Sequence, residues 1–135
     1  MQRRALRLLK TLDEADAVLT ISLVDDAEMQ RLNREYRGKD RPTDVLAFAM
    51  REGRRVAGDE AQLGDVAISL ATAARQATDR RIALADEVTT LLVHGVLHLL
   101  GYDHERSPVE ARRMFRKQRE LLQSVGSAPA RKRGH

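Results

Sequence analysis

Three of the chain's four histidines, His94, His98 and His104, lie within eleven residues of one another. Imidazole is the commonest protein ligand for transition metals. His94 and His98 are four residues apart, so a helix would place both rings on one face about one turn apart. Gly101 is expected to end that helix in a left-handed conformation, so that the chain turns back and His104 supplies a third imidazole. Three ligands leave one tetrahedral position open, which is typical of a catalytic zinc site.

Two other interpretations of the histidines have to be weighed. One histidine on an apolar helix is usually a packing residue, but three at this spacing favour a metal site. Three imidazoles also accept nickel, copper or cobalt. The same spacing, with glycine at its eighth position, occurs in metzincin proteases, whose general base is a glutamate directly after the first histidine. This chain has Gly95 there, which cannot accept a proton, so the protease interpretation is disfavoured.

The length and composition of the chain indicate what broad class of protein it is. The chain has 135 residues, which suits one domain, expected over 1–126, followed by a disordered basic tail over 127–135. Hydrophobic residues make up 42% and charged residues 33%, and no apolar run approaches the roughly 20 residues of a membrane span, which favours a soluble protein without a membrane partner. The absence of cysteine excludes disulfides and thiolate metal sites, and with the lack of a signal peptide it favours a cytoplasmic location.

Net charge is a weak guide to the ligand. The formal charge is +4, and Arg131, Lys132 and Arg133 in the tail account for three of these charges. The basic residues are mostly arginine, whose forked guanidinium suits phosphate, although a GC-rich genome explains the same excess.

The elements that must position the histidines follow from hydrophobic patterning. Asp25 with Glu28, and Ser107 followed by Pro108 and Glu110, are typical helix starts, and Gly126 should end the last helix. The expected elements are helices over about 2–12, 25–36, up to about Thr78, 83–100 and 108–125, and apolar strands of buried type over 18–24, 45–50 and 66–70.

The string from His94 to His104 resembles the signature of the YbeY family, bacterial endoribonucleases of ribosomal RNA maturation once grouped as an uncharacterised family. Asn33 to Phe48 and Leu63 to Ser69 resemble two further blocks of that family. The similar regions together run over 18–122. The resemblance is therefore specific and extends over most of the chain.

The resemblance implies a small α+β domain in which a mixed sheet of three or four strands packs against about five helices. The family usually opens with a strand ahead of the first helix, whereas this chain starts at the helix. Where the family has an acidic final helix, this chain is basic at Arg112, Arg113, Arg116, Lys117 and Arg119.

It also implies one zinc ion on His94, His98 and His104, with the metal site on a helix and the loop after it. Arg37 matches a functional arginine of the family, so the resemblance assigns catalysis to Arg37 and His94. The implied activity is single-strand-specific cleavage of ribosomal RNA, at the 3′ end of the small-subunit RNA and in ribosome quality control. The implied partners are ribosomal RNA and the small subunit.

For phosphodiester cleavage, zinc would polarise a phosphoryl oxygen and lower the pKa of bound water toward about 7. The nucleophile is either that water or the neighbouring 2′-hydroxyl. Arg37 would stabilise the charge on the non-bridging oxygens. Asp65 and Asp103 are candidate acceptors for imidazole N–H groups, although Asp103 suits a turn equally well. The alternative from another class is a non-catalytic ribosome assembly factor with a structural zinc.

Overall fold

A computed structural model describes residues 2–14, 17–49 and 62–126. The expected tail, Met50 and most of the loop before the third strand lie outside these ranges. The elements, in chain order, are α1 Gln2–Thr11, β1 Val18–Val24, α2 Asp26–Arg37, β2 Val45–Ala49, β3 Gln62–Ser69, α3 Leu70–Arg80, α4 Leu84–Leu99 and α5 Pro108–Ser124. Five helices and a small mixed sheet confirm the expected α+β class.

The sheet of the described residues has three strands in the order β1-β3-β2. β1 runs parallel to β3, with Ile21 opposite Val66, and β2 runs antiparallel to it, with Ala47 opposite the same Val66. β3 is therefore the central strand, and its apolar residues Leu63, Val66 and Ile68 are fully buried. α4 packs against β2 and β3, so the helix that carries two histidines rests on the middle of the sheet.

Two strand predictions were wrong in part. β1 was expected to be buried, but Val18 and Leu23 are each 48% exposed because β1 lies at an edge of the sheet. β3 begins at Gln62 rather than Val66 and ends at Ser69, since Leu70 opens α3. Gly64 and Asp65 lack strand propensity, but they pair with β1 and β2, and this tertiary pairing overrides the local preference.

α4 is the core helix, and its apolar side chains are buried almost all round. Gly95 marks its closest approach to the sheet. A Cβ built at Gly95 would lie 2.8 Å from Cγ1 of Val66 and 3.3 Å from Cγ2 of Val45. Glycine at this position thus lets the histidine-bearing turn of α4 lie directly on β2 and β3.

Side-chain hydrogen bonds connect other elements to this core. Nη1 of Arg4 in α1 donates to Oδ1 of Asp86 at 2.9 Å and to Oγ1 of Thr89 at 2.8 Å, both in α4. The side chain of Asp26 at the start of α2 accepts from the hydroxyl of Ser69 at 2.6 Å, where β3 meets α3. The helix starts are also confirmed, since the side chains of Asp25 and Ser107 accept from backbone N–H groups three residues on.

Within the described ranges, no single helix is long and apolar enough to cross a membrane. Only α3 and α4 taken together pass by length and composition, and they are bent by 115° at their break.

Candidate metal centre

The three histidines predicted as ligands lie together. Each offers a ring nitrogen, and these nitrogens lie within 4.8 Å of one another, so the group could hold a metal ion. The ring centroids of His94 and His98 are 4.9 Å apart, and His104 lies 5.1 Å from His94 and 5.4 Å from His98. All three side chains are half-buried.

The turn after α4 brings His104 back over the end of the helix. Gly101 has φ +100°, a backbone conformation that favours glycine. The N–H of Tyr102 donates to the carbonyl of Leu97 at 3.0 Å, which closes the helix end. Oδ1 of Asp103 accepts from the N–H of Glu105 at 2.9 Å, so Asp103 shapes the turn that carries His104.

His94 is oriented by a residue that the sequence did not single out. Its Nδ1 lies 2.9 Å from Oε1 of Gln118 in α5. A carboxamide oxygen can only accept, so Nδ1 carries the proton and Nε2 keeps the free lone pair. Metal-binding histidines are commonly fixed in this way by an acceptor on the other ring nitrogen. Neither Asp65, which is exposed on β3, nor Asp103 has this role.

The surroundings of the rings favour their neutral form. Burial lowers the pKa of His94, and the nearby His104 lowers it further, while Gln118 and Asp44 act in the opposite direction. Burial also lowers the pKa of His98, as do His94, His104 and, to a smaller extent, Arg37. Both rings therefore offer unprotonated nitrogens near neutral pH, which metal binding requires.

The structure brings Arg37 to the same cleft as the histidines. Arg37 is the last residue of α2, and Gly38 after it has φ +71°. The loop beyond is fastened back onto α2, because Nδ2 of the buried Asn33 donates to the carbonyl of Arg41 at 2.8 Å and Nε2 of Gln30 donates to Oδ1 of Asp40 at 3.0 Å. This fastening fixes the end of α2 from which Arg37 extends.

The cleft has a volume of about 500 Å³. It is lined by Arg37, Thr43, Asp44, Val45, Ala47, His94, Gly95, His98, Leu99, His104 and Glu105. Asp44 contributes a carboxylate whose Oδ2 accepts from Nε2 of Gln76 at 3.2 Å. Imidazoles, one guanidinium and carboxylates thus face one solvent-open space, which suits an anionic substrate bound beside a cation.

Comparison with known proteins gives a consistent result. The family model described as Endoribonuclease YbeY matches residues 2–126. A protein of Anaeromyxobacter sp. (strain Fw109-5) named Endoribonuclease YbeY is 51% identical over 126 residues, which are 93% of this chain and 64% of that protein. A protein of the same name from Syntrophotalea carbinolica is 46% identical over 93% of this chain and 84% of its own length. The chain thus spans less than two thirds of the first relative and most of the second.

A solved structure is also similar. The solution structure of TM1509 from Thermotoga maritima matches with a TM-score of 0.62 and 30% sequence identity. The match covers 92% of this chain and 77% of that one. The overall fold of this chain is therefore similar to that of a protein whose structure was determined in solution.

Proposed function

The chain belongs to the YbeY endoribonuclease family, and from this premise we propose that it is a zinc-dependent endoribonuclease that cleaves single-stranded ribosomal RNA. In this proposal His94, His98 and His104 hold one zinc ion per chain, and Arg37 and His94 belong to the catalytic apparatus. The observation that carries the proposal is the meeting of three imidazoles and one guanidinium in a single cleft.

The proposed substrate is the 3′ end of the small-subunit ribosomal RNA. The proposed roles of the protein are maturation of that RNA and ribosome quality control. The small subunit would be the partner, and the cytoplasm the place of action. The support for these finer assignments is the resemblance of the three sequence blocks to the family. An open cleft rather than an enclosed pocket also suits a polymeric substrate.

The residues present fit a zinc ion. Nδ1 of His104 is buried and has no hydrogen-bond partner among the described residues, a condition that a metal bond would relieve. Gln118 holds His94 in the tautomer with a free Nε2. Three neutral imidazoles are a common donor set for catalytic zinc, which acts as a Lewis acid on a phosphoryl oxygen when bound.

Arg37 supplies the second positive charge in the cleft. Its side chain is exposed and is fixed to the protein through the end of α2. A guanidinium donates two parallel hydrogen bonds to a phosphate, and it keeps its charge at any working pH. Since negative charge builds on the non-bridging oxygens during cleavage, Arg37 would bind the transition state more tightly than the ground state.

Replacing Arg37 tests the proposal. Arg37→Ala should retain its metal content and its fold but lose on the order of 10²-fold in single-turnover cleavage of a single-stranded RNA oligonucleotide at fixed salt. Arg37→Lys should recover only part, because lysine contacts one oxygen where arginine contacts two. Arg41→Ala is the matched control, since Arg41 lies four residues on, in the loop that follows α2, and is exposed but does not line the cleft.

Equal losses for Arg37→Ala and Arg41→Ala that more protein restores would show that both merely bind backbone phosphate. A wild-type protein that carries its metal but cleaves no RNA would favour the assembly factor. Cleavage of casein would favour the protease.

A further inference from the structure

α5 carries a stripe of four exposed residues on one face. Arg112, Phe115, Arg116 and Arg119 are spaced as i, i+3, i+4 and i+7, which places them in a row along the helix. With a rise of 1.5 Å per residue, the row is about 10 Å long. We call these four residues the α5 stripe.

Phe115 places an aromatic ring at the rim of the histidine cluster. Its ring centroid lies 6.1 Å from that of His94, with the planes inclined at 26°, and 5.7 Å from that of His104. The side chain is 39% exposed, so the ring contacts the histidines without being covered by them. The buried apolar residues of α5, Met114 and Leu121, pack in the core, whereas Phe115 is not among the buried residues of the helix.

The arginines of the stripe form no ion pairs with carboxylates of the described residues. None of Arg112, Arg116 and Arg119 has a carboxylate within ion-pair distance among the described residues, whereas Arg113, off the stripe, lies 3.6 Å from Glu110. α5 as a whole has five basic residues and two acidic ones. Its exposed side therefore offers an aromatic ring flanked by unneutralised guanidinium groups.

We propose that the α5 stripe binds the RNA strand beside the cleavage site, with Phe115 stacked on one nucleobase and the arginines on the adjoining phosphates. This inference rests on the proposed function and specifies the substrate surface of that site. Aromatic rings alternating with basic groups are how proteins hold single strands without reading their sequence. In a duplex the base faces are already stacked, so Phe115 selects for unpaired RNA.

The position of Phe115 beside the histidines would place the bound single strand close to the proposed cleavage site. Because the ring touches His94 and His104, a base stacked on it lies within about one nucleotide of the cleft. Stacking there would hold the adjoining phosphodiester at the metal and Arg37, and it would act mainly on binding. Phe115 is thus a positioning residue.

The first test replaces the aromatic ring with a smaller apolar side chain. Phe115→Leu should raise the half-saturating protein concentration for single-turnover cleavage about tenfold, with the maximal rate and the metal content unchanged. A set of substrates that each lack one base should then be tested. For wild type, removing the base at one position should raise the half-saturating concentration about as much as Phe115→Leu does. For Phe115→Leu, removing the same base should cause no further rise. Additive losses at every position, or a fall in the maximal rate alone, would overturn the stacking role.

The second test uses fluorescence. The chain has no tryptophan, so Phe115→Trp introduces one reporter at the proposed platform. Its emission should be quenched by a single-stranded oligonucleotide and not by the duplex of the same sequence. Ser124→Trp is the control, since Ser124 is exposed on the same helix but lies nine residues, or about two and a half turns, from Phe115 and therefore on the opposite side of the helix. Equal quenching at both positions would overturn the inference.

The third test addresses the arginines. Arg116→Gln should reduce the slope of log binding constant against log salt by about 0.7, the value expected for one phosphate contact to a single strand. Arg113→Gln, the same charge change off the stripe, should leave the slope unchanged. Equal slopes for the two variants would contradict the stripe.

Failure of this inference can be told apart from failure of the proposed function. If wild type cleaves RNA and Phe115→Leu matches it at all concentrations, the stripe is wrong and the nuclease stands. If Phe115→Trp is quenched by single strands but wild type cleaves nothing, the RNA surface stands and the nuclease is wrong.

Discussion

Gln118 should control how tightly the histidines hold their metal. Its Oε1 accepts from Nδ1 of His94 at 2.9 Å, and Gln118→Leu would leave that N–H without a partner in a half-buried site. The metal-free ring could turn or change tautomer to avoid this, whereas a ring bound to metal through Nε2 could not, so the cost of the unsatisfied donor, about 1–3 kcal/mol, falls on metal binding. Since about 1.4 kcal/mol is a factor of ten, the metal dissociation constant should rise roughly 10- to 100-fold, the range typical of such outer partners.

The assay is competition for zinc against a chromogenic chelator at one fixed pH, with circular dichroism to confirm the fold. Gln118→Glu should hold zinc at least as tightly as wild type, because a carboxylate also accepts from Nδ1 and makes the ring more basic. Gln123→Leu, an exposed change on the same helix, is the control and should be neutral. A zinc affinity of Gln118→Leu equal to that of wild type would refute the orienting role of Gln118.

Two further predictions concern stability. Gly95→Ala should lower Tm in calorimetry, because overpacking of about 1–3 kcal/mol against Val66 outweighs the gain of about 1 kcal/mol in helix propensity; an unchanged or higher Tm would contradict the close approach of α4 to the sheet. Burial raises the pKa of Glu87, and Arg80 only partly offsets this rise. The folded state therefore holds the proton of Glu87 more tightly than the unfolded chain does, and the free energy of unfolding falls as pH rises and Glu87 ionises. Glu87→Gln should therefore gain in free energy of unfolding relative to wild type between about pH 4 and pH 7 in urea titrations, and a constant difference would contradict this.

Local signals were enough for the element order and for the cluster of histidines. Asp25 and Ser107 cap helices through hydrogen bonds to residues only three positions away in the sequence. Gly101 turns the chain because glycine readily adopts a positive φ. Two histidines one helical turn apart and a third in the next turn meet through such short-range geometry. The candidate metal site could therefore be predicted before any tertiary structure was known.

Features set by packing between distant elements could not be predicted. The partial exposure of β1 depends on its place at the sheet edge, and the length of β3 depends on partners on both sides. Gln118 meets His94 across 24 residues, and Phe115 reaches the histidines only because α5 packs on α4 at one particular rotation. A glutamine or phenylalanine on an amphipathic helix carries no sign of that rotation.

Paired measurement of metal content and RNA cleavage shows whether the three histidines hold a catalytic metal. Wild type should carry about one zinc per chain by elemental analysis, and His98→Ala should lose the metal and single-turnover cleavage together. His135→Ala changes the one histidine outside the cluster and should keep both. Equal zinc and equal cleavage in wild type and His98→Ala would show that the histidine cluster does not hold a catalytic metal.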